Sequence, residues 1–256
     1  MELLVGTLTL RPYVFGFLAA FLLAGMLDLG LRRTLLFAGW LGPLAWLCEF
    51  TSTRIGIPFG MYHYTGTTRG QELFVADVPI MDCLSFTFLA YAAFCLARAA
   101  LSGRRVPGPA LALVSGVLMM ALDVVMDPVA VRGERWFLGR IFYYPDGGVY
   151  FGVPLSNFAG WIVVGTLGVG GFLWLSGWRE HDTPGRPAGL ASVPGSCWPG
   201  IALYYAVFAF NLAVTGWIGE WRLLVVGAGL HAVLAATLWT LSQRPGARLG
   251  LEKQQA

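Results

Sequence analysis

The sequence predicts an all-α protein, a polytopic integral membrane helical bundle of about seven transmembrane helices. Two features carry that expectation. Of the 256 residues, 57% are hydrophobic and only 12% charged, against about 45–50% apolar and about 25% charged in a typical soluble domain. A chain so poor in charge would struggle to cover a water-facing surface, which excludes a soluble globular enzyme and, for the same reason, disorder. The second feature is spacing. Apolar stretches of about 20 residues, each enough for one bilayer crossing, recur along the chain, so that one membrane domain is expected over residues 1–256.

The expected spans follow in order. The first, Pro12–Leu31, opens on a proline whose missing N–H costs nothing at a helix start. Arg11 precedes it and no small-residue cleavage site ends it, so it reads as a retained helix rather than a signal peptide. The second, Leu35–Phe50, is the shortest and has room to extend or tilt. The third, Pro79–Leu101, and the fourth, Pro109–Asp127, again open on proline. The fifth to seventh are Leu155–Trp178, Trp198–Ile218 and Leu223–Ser242, and the tail from Arg244 to Ala256 is polar and expected to fray.

The connections alternate in character. Arg32–Arg33, Ser102–Gly108 and Arg179–Cys197 are mostly short and basic, whereas Thr51–Val78 and Pro128–Pro154 are long and rich in aromatics, glycine and acids. The first set, with the C-terminal tail, carries Arg32, Arg33, Arg98, Arg104, Arg105, Arg179, Arg186, Arg244, Arg248 and Lys253, ten of the seventeen basic residues. By the positive-inside rule the C-terminus is expected in the cytoplasm and the N-terminus outside, across a bacterial inner membrane. The basic residues are scattered, with net charge +3, and no run resembles a nucleic-acid patch. Within the long loops, Phe59–Tyr64 and Trp136–Tyr144 are too aromatic for free solvent and are expected at the interface or folded over the bundle.

Cys48, Cys83, Cys95 and Cys197 form no C-x-x-C pair and read as small buried hydrophobes. His63, His181 and His231 lie far apart with no metal-binding spacing, so no metal site is expected. His231 reads as a packed polar residue and Glu220 as part of a solvated turn.

Ionisable residues inside spans are functional hypotheses because their burial is expensive. Glu49 falls at the end of the second span, Asp82 in the first turn of the third, and Asp123 and Asp127 close the fourth on one helical face. Asn157 opens the fifth. All of these land on the side of the long aromatic loops. Asp82 has a dipole reason to sit at a helix N-terminus, but Asp123 and Asp127 sit where the dipole repels acids. Carboxyls gathered in an apolar place hold protons more readily than they do in water, so proton transfer is the natural use of the group. His63, between two tyrosines, is a candidate proton relay.

Three alternatives are tested on the residues. A retinal-type receptor needs a lysine in its last span, and Lys253 lies beyond it. A magnesium-dependent prenyltransferase needs two Asp-rich motifs and a basic cluster for phosphates, and only Asp123-x-x-x-Asp127 fits. A transporter would show interrupted helices and repeat symmetry, neither of which is evident.

The sequence resembles the integral-membrane carotenoid hydratase family, whose members act on the acyclic ends of carotenoids such as lycopene, γ-carotene or bacterioruberin precursors. The resemblance rests on Glu49 with Gly56-Ile-Pro-Phe-Gly-Met-Tyr-His-Tyr64, Asp77-Val-Pro-Ile-Met-Asp82, Ala121-Leu-Asp-Val-Val-Met-Asp-Pro128 and Gly152-Val-Pro-Leu-Ser-Asn-Phe-Ala-Gly-Trp161. These segments run in order from about Gly39 to Trp161; the last two spans match only in being apolar. Asp77–Asp82 also resembles the Pro-x-Glu-Glu motif of membrane lycopene cyclases, but Met81 and Asp82 replace its acid pair, which argues against cyclisation.

The resemblance implies a cofactor-independent carotenoid 1,2-hydratase. A proton added at C2 of the terminal alkene gives a tertiary cation at C1, which water captures. That chemistry asks for a protonated acid, a base to guide water and aromatic faces for the cation. Asp82 or Asp123 is the expected proton donor, with Asp127 and Glu49 holding its hydrogen bonds or the water. Tyr62, Tyr64, Tyr143, Tyr150 and Trp161 are candidate walls, with His63 and Asp77 on the same substrate-binding segments, and Asn157 is placed to orient water. A membrane carotenoid cyclase and a non-catalytic carotenoid-binding scaffold are the competing readings. Expected partners are the carotenoid, the lipid bilayer and a carotenoid glycosyltransferase or desaturase.

Overall fold

The computed structural model describes residues 2–102, 104, 106–178 and 197–243. Arg105, Arg179, Arg186, Arg244, Arg248, Lys253 and His181 from the reading above, and the expected fraying of the tail, lie outside the described residues. The helices are α1 (Glu2–Leu10), α2 (Pro12–Asp28), α3 (Leu31–Ile55), α4 (Ile80–Ala100), α5 (Gly108–Ala130), α6 (Leu155–Leu175), α7 (Trp198–Trp217) and α8 (Trp221–Gln243). Six of them, α3 to α8, are long and apolar enough to cross a membrane, and α1 with α2 forms a further pair bent by 84° at Arg11. The protein is therefore a nearly all-α, polytopic membrane bundle. Exposed Leu23, Leu47, Leu167, Val225, Val233 and Trp239 supply the apolar exterior that lipid requires.

Several boundaries differ from the sequence reading. The second span is the longest helix, not the shortest: α3 has 25 residues. Arg32 and Arg33 are accommodated at its start because long basic side chains reach water from a helix end. At its other end Thr51 and Thr53 hydrogen-bond back to the preceding turn, and Gly56 stops the helix in the left-handed conformation at φ 75°. Glu49 consequently sits inside α3 rather than at its end. Likewise α5 runs through Pro128 to Ala130, so Asp123 lies well inside it. The first span is shorter than expected, because Leu29 and Gly30 already turn the chain into α3.

Helix α4 forms the centre and touches α2, α3, α5 and α7, with most of its side chains buried. The closest helix pair is α5 with α6, where Gly116 and Gly165 remove the side chains that would hold the backbones apart. A Cβ on Gly116 would lie 2.5 Å from the carbonyl oxygen of Ile162. This close contact fixes α5 against α6 and so fixes Asp123 and Asp127 against Asn157.

The two long loops fold over one end of the bundle, as their aromatic content suggested. Strand β1 (His63–Tyr64) pairs antiparallel with β4 (Phe142–Tyr143), bringing His63 opposite Tyr143 and Tyr64 opposite Phe142. Strand β2 (Phe74–Val75) pairs with β3 (Val78–Pro79) at the head of α4. At the opposite end of the bundle Arg98 donates to Asp28 at 2.6 Å, a buried pair joining α4 to α2. His231 is a packed residue: its ring stacks on Phe208 and its Nε2 lies 2.6 Å from the carbonyl oxygen of Ala121. Glu220 is more than a solvated turn, because it pairs with Arg132 and Arg135 and ties the α7–α8 corner to the loop after α5.

Candidate active site

The site is assembled from four helices, α3, α4, α5 and α6, and the loop layer above them. From α3, Glu49 is buried and its Oε2 accepts hydrogen bonds from the hydroxyls of Tyr62 and, at 2.8 Å, Tyr64. Both tyrosines come from the loop that turns back at Gly56. The side chains at 62 and 64 face the bundle while His63 between them faces outward, the alternation of an extended segment. Burial beside the Glu49 carboxyl pushes the Tyr64 hydroxyl well above its ordinary value, so it stays a donor.

From α5, Asp123 and Asp127 are one turn apart. The Asn157 amide of α6 bridges them, Nδ2 donating to Asp123 Oδ2 at 2.7 Å and to Asp127 Oδ2 at 2.8 Å. The Tyr144 hydroxyl donates to the same Asp127 oxygen at 3.3 Å. Its own ionisation is pushed far upward, first by burial and then by the Asp127 charge. Asp123 is fully buried, and its Oδ1 has no hydrogen-bond partner.

From α4, Asp82 pairs with Arg11, whose other guanidinium nitrogen bonds Glu72 at 2.7 Å. Arg11 is 1% exposed and occupies the break between α1 and α2. A guanidinium offers a fork of donors that suits two carboxylates at once, so the bend in the chain is pinned to the head of α4.

These groups surround a cavity of about 140 Å³. Glu49, Tyr62, Tyr64, Asp82, Asp127, Tyr144, Asn157 and Trp161 all line it, with Phe59 and Phe86. Phe86 and Trp161 stack face to face, 4.5 Å between centroids and 7° between planes, forming an aromatic floor. The result is a small apolar chamber with acids and phenols along its margins.

Of the residues expected from sequence, Glu49, Asp82, Asp127, Tyr62, Tyr64, Asn157 and Trp161 are brought together at the cavity. Asp123 stands one layer behind, reaching it through Asn157. The structure does not bring His63, Asp77, Tyr143 or Tyr150 to the cavity. His63 and Tyr143 are exposed neighbours on the β1–β4 ribbon. Asp77 is exposed and pairs with Arg54 and Arg69, so its charge is spent at the surface. Tyr150 packs on Phe151 and Phe158. Sequence reasoning missed Arg11, Glu72 and Tyr144. An arginine set between two apolar stretches, residues 3–10 and 12–31, is the signal the sequence offers for the first. Among the described residues no group of three or more His, Cys, Asp and Glu is disposed to hold a metal ion.

A family model described as carotenoid biosynthesis protein matches residues 9–234, which include every residue of this site. The bisanhydrobacterioruberin hydratase of Haloarcula japonica is 30% identical over 226 residues, 86% of this chain and 68% of that relative. No solved structure matches the chain. The buried carboxyls, the apolar chamber and helices α2 to α7 all lie within the matched region, and the chain belongs to the carotenoid biosynthesis protein family.

Proposed function

We propose that the chain is a carotenoid 1,2-hydratase that adds water across the terminal C1–C2 double bond of an acyclic carotenoid end. The observation that carries this reading is the convergence of Glu49, Asp82, Asp127 and Asn157 on an aromatic-floored chamber. The name of the relative points to the same chemistry in another protein of the family.

In this reading the Asp123–Asp127 pair, clamped by one amide, holds the proton. Asp127 delivers it to C2 because it faces the chamber, and Asp123 behind it is a positioning residue. The C2–H bond forms as the alkene π pair is used, leaving a tertiary cation at C1. Phe86 and Trp161 present the π faces that stabilise such a cation. Glu49, oriented by two phenols, accepts a proton from the attacking water as its oxygen bonds to C1, and the site is reset by returning that proton to Asp127. The sum is alkene plus water to tertiary alcohol, redox-neutral, and we propose that it proceeds without a cofactor. Asp82 is committed to Arg11, which makes it a fixed part of the wall rather than the donor.

Water has a short route in. On the outer side of Tyr64 lies a polar depression of about 370 Å³ formed by Thr53, Arg54, His63, Tyr64, Arg69 and Asp77. Tyr64 borders both this depression and the chamber, so His63 and Asp77 act on the supply of water rather than on the polyene.

The bundle acts as one membrane domain in a bacterial cell membrane with its C-terminus in the cytoplasm. A carotenoid glycosyltransferase or desaturase is the expected neighbour in the same membrane. The test is expression in a lycopene-accumulating host. The Asp127→Asn protein should bind pigment but leave its mass unchanged, whereas wild-type adds water. A folded Asp127→Asn protein that hydrates at the full rate contradicts the assignment, and wild-type cyclised product would favour a cyclase.

A further inference from the structure

The chamber is large enough for the end of a polyene and far too small for the rest of it. An extended carotenoid is comparable in length with the apolar core of a bilayer, roughly 30 Å. The remainder of the substrate must therefore leave the chamber through a wall that is itself apolar.

One wall has that character. Tyr13 and Phe17 of α2, with Phe210 of α7, line the chamber, their rings 5.2 and 5.7 Å apart across the two helices, and Phe137 of the loop layer packs on Tyr13 at 5.4 Å. The same Tyr13 and Phe17 also line the upper end of an open apolar groove of about 640 Å³ between α2 and α7. The groove runs past Ala20 and Ala206 to Leu27, about 16 Å beyond Gly16 at roughly 1.5 Å of rise per residue. Its floor is small because Gly16, Ala20, Ala202 and Ala206 leave room for a rod about one polyene wide. It carries no charged side chain.

We infer that this groove holds the polyene chain of the substrate, which enters sideways from the bilayer between α2 and α7 and passes Tyr13, Phe17 and Phe210 to place its end in the chamber. The inference rests on the hydratase reading for the identity of the occupant. Adjacency of the two cavities across the shared Tyr13 and Phe17 supports it, as does the match between a conjugated rod and an uncharged slot. Entry from the membrane is also the low-cost route for an apolar substrate, which never has to cross water.

Gly16, Ala20, Ala202 and Ala206 are exposed, so large side chains there fill the groove without overpacking the core. The experiment compares wild-type, Ala20→Trp, Ala206→Trp and Leu167→Trp proteins, the last altered on the exposed face of α6. Conversion of a full-length acyclic carotenoid is measured together with pigment retained on purification. The groove variants should lose at least about tenfold in kcat/KM and most of their retained pigment, while Leu167→Trp matches wild-type. Wild-type conversion with both groove variants unchanged overturns the inference and leaves the hydratase reading intact. Wild-type protein that binds pigment without adding water removes the hydratase reading, and pigment retention then judges the groove alone.

A second measurement does not depend on the bulky variants. A fluorophore on Ala202→Cys, in a background whose native cysteines are buried, should be quenched when carotenoid is added. Unchanged emission in carotenoid-loaded protein overturns the inference.

Discussion

Removing Arg11 should unsettle the head of the bundle more than any other single substitution of a charged residue. Arg11 is 1% exposed and lies between Glu72, itself 2% exposed, and Asp82. An Arg11→Met protein keeps most of the buried volume but leaves two carboxyls facing each other without their cation. Breaking a buried pair from one side costs about 3–5 kcal/mol. At roughly 2–4 °C per kcal/mol for a chain of this size, the unfolding midpoint in detergent should fall by about 6–20 °C. The loss should reverse when the carboxyls are neutralised too, because the penalty belongs to the orphaned charges and not to the missing contacts. Arg11→Met combined with Glu72→Gln and Asp82→Asn should therefore unfold closer to wild-type than Arg11→Met alone. Thermal unfolding of the three proteins, followed by light scattering and near-ultraviolet signal, is the assay. An Arg11→Met midpoint within about 2 °C of wild-type, less than 1 kcal/mol on that scale, would refute the reasoning, as would a triple variant no better than the single.

Other outcomes follow from the same geometry. Asn157→Leu removes the one amide that bridges Asp123 and Asp127, and should cut hydration by about 10²-fold or more with pigment retained, measured as product per bound carotenoid. Gly116→Val drives a side chain into the Ile162 carbonyl across the α5–α6 contact and should destabilise by about 1–3 kcal/mol, read as a lowered unfolding midpoint. The Tyr144 hydroxyl ionises less readily in the folded chain than in the unfolded one. Its contribution to stability is therefore complete below the ordinary tyrosine value of about 10 and is lost as pH rises above it. Tyr144→Phe should flatten that alkaline limb in a series of midpoints against pH.

Much of the site was legible in the sequence because acids in apolar spans are costly and hence informative. Glu49, Asp82, Asp127 and Asn157 were all assigned to one side of the membrane from span alternation alone, and all four meet at the chamber. The parts that were not legible depend on long-range geometry. Whether Tyr143 or Tyr144 points inward is a question of parity along a short strand, and parity is set by pairing of His63 with Tyr143 across some eighty residues. The sequence shows Arg11 only as the residue before a span, because its partners, Glu72 and Asp82, lie 61 and 71 residues away. The length of α3 was underestimated because arginines and threonines at its two ends look like loop, although each has a way to satisfy itself within a helix. Asp77 belonged to a segment that carried the family resemblance, yet two exposed arginines hold it at the surface.

Addition of water to an acyclic carotenoid end is tested most directly by the pigment itself. Protein in lipid discs is supplied with lycopene in water enriched in heavy oxygen, and the product is weighed by mass spectrometry. The account predicts a tertiary alcohol heavier than lycopene by one labelled water for each end converted, formed by wild-type and not by Asp127→Asn. Product of unchanged mass, or an alcohol whose oxygen does not come from the labelled water, would contradict it.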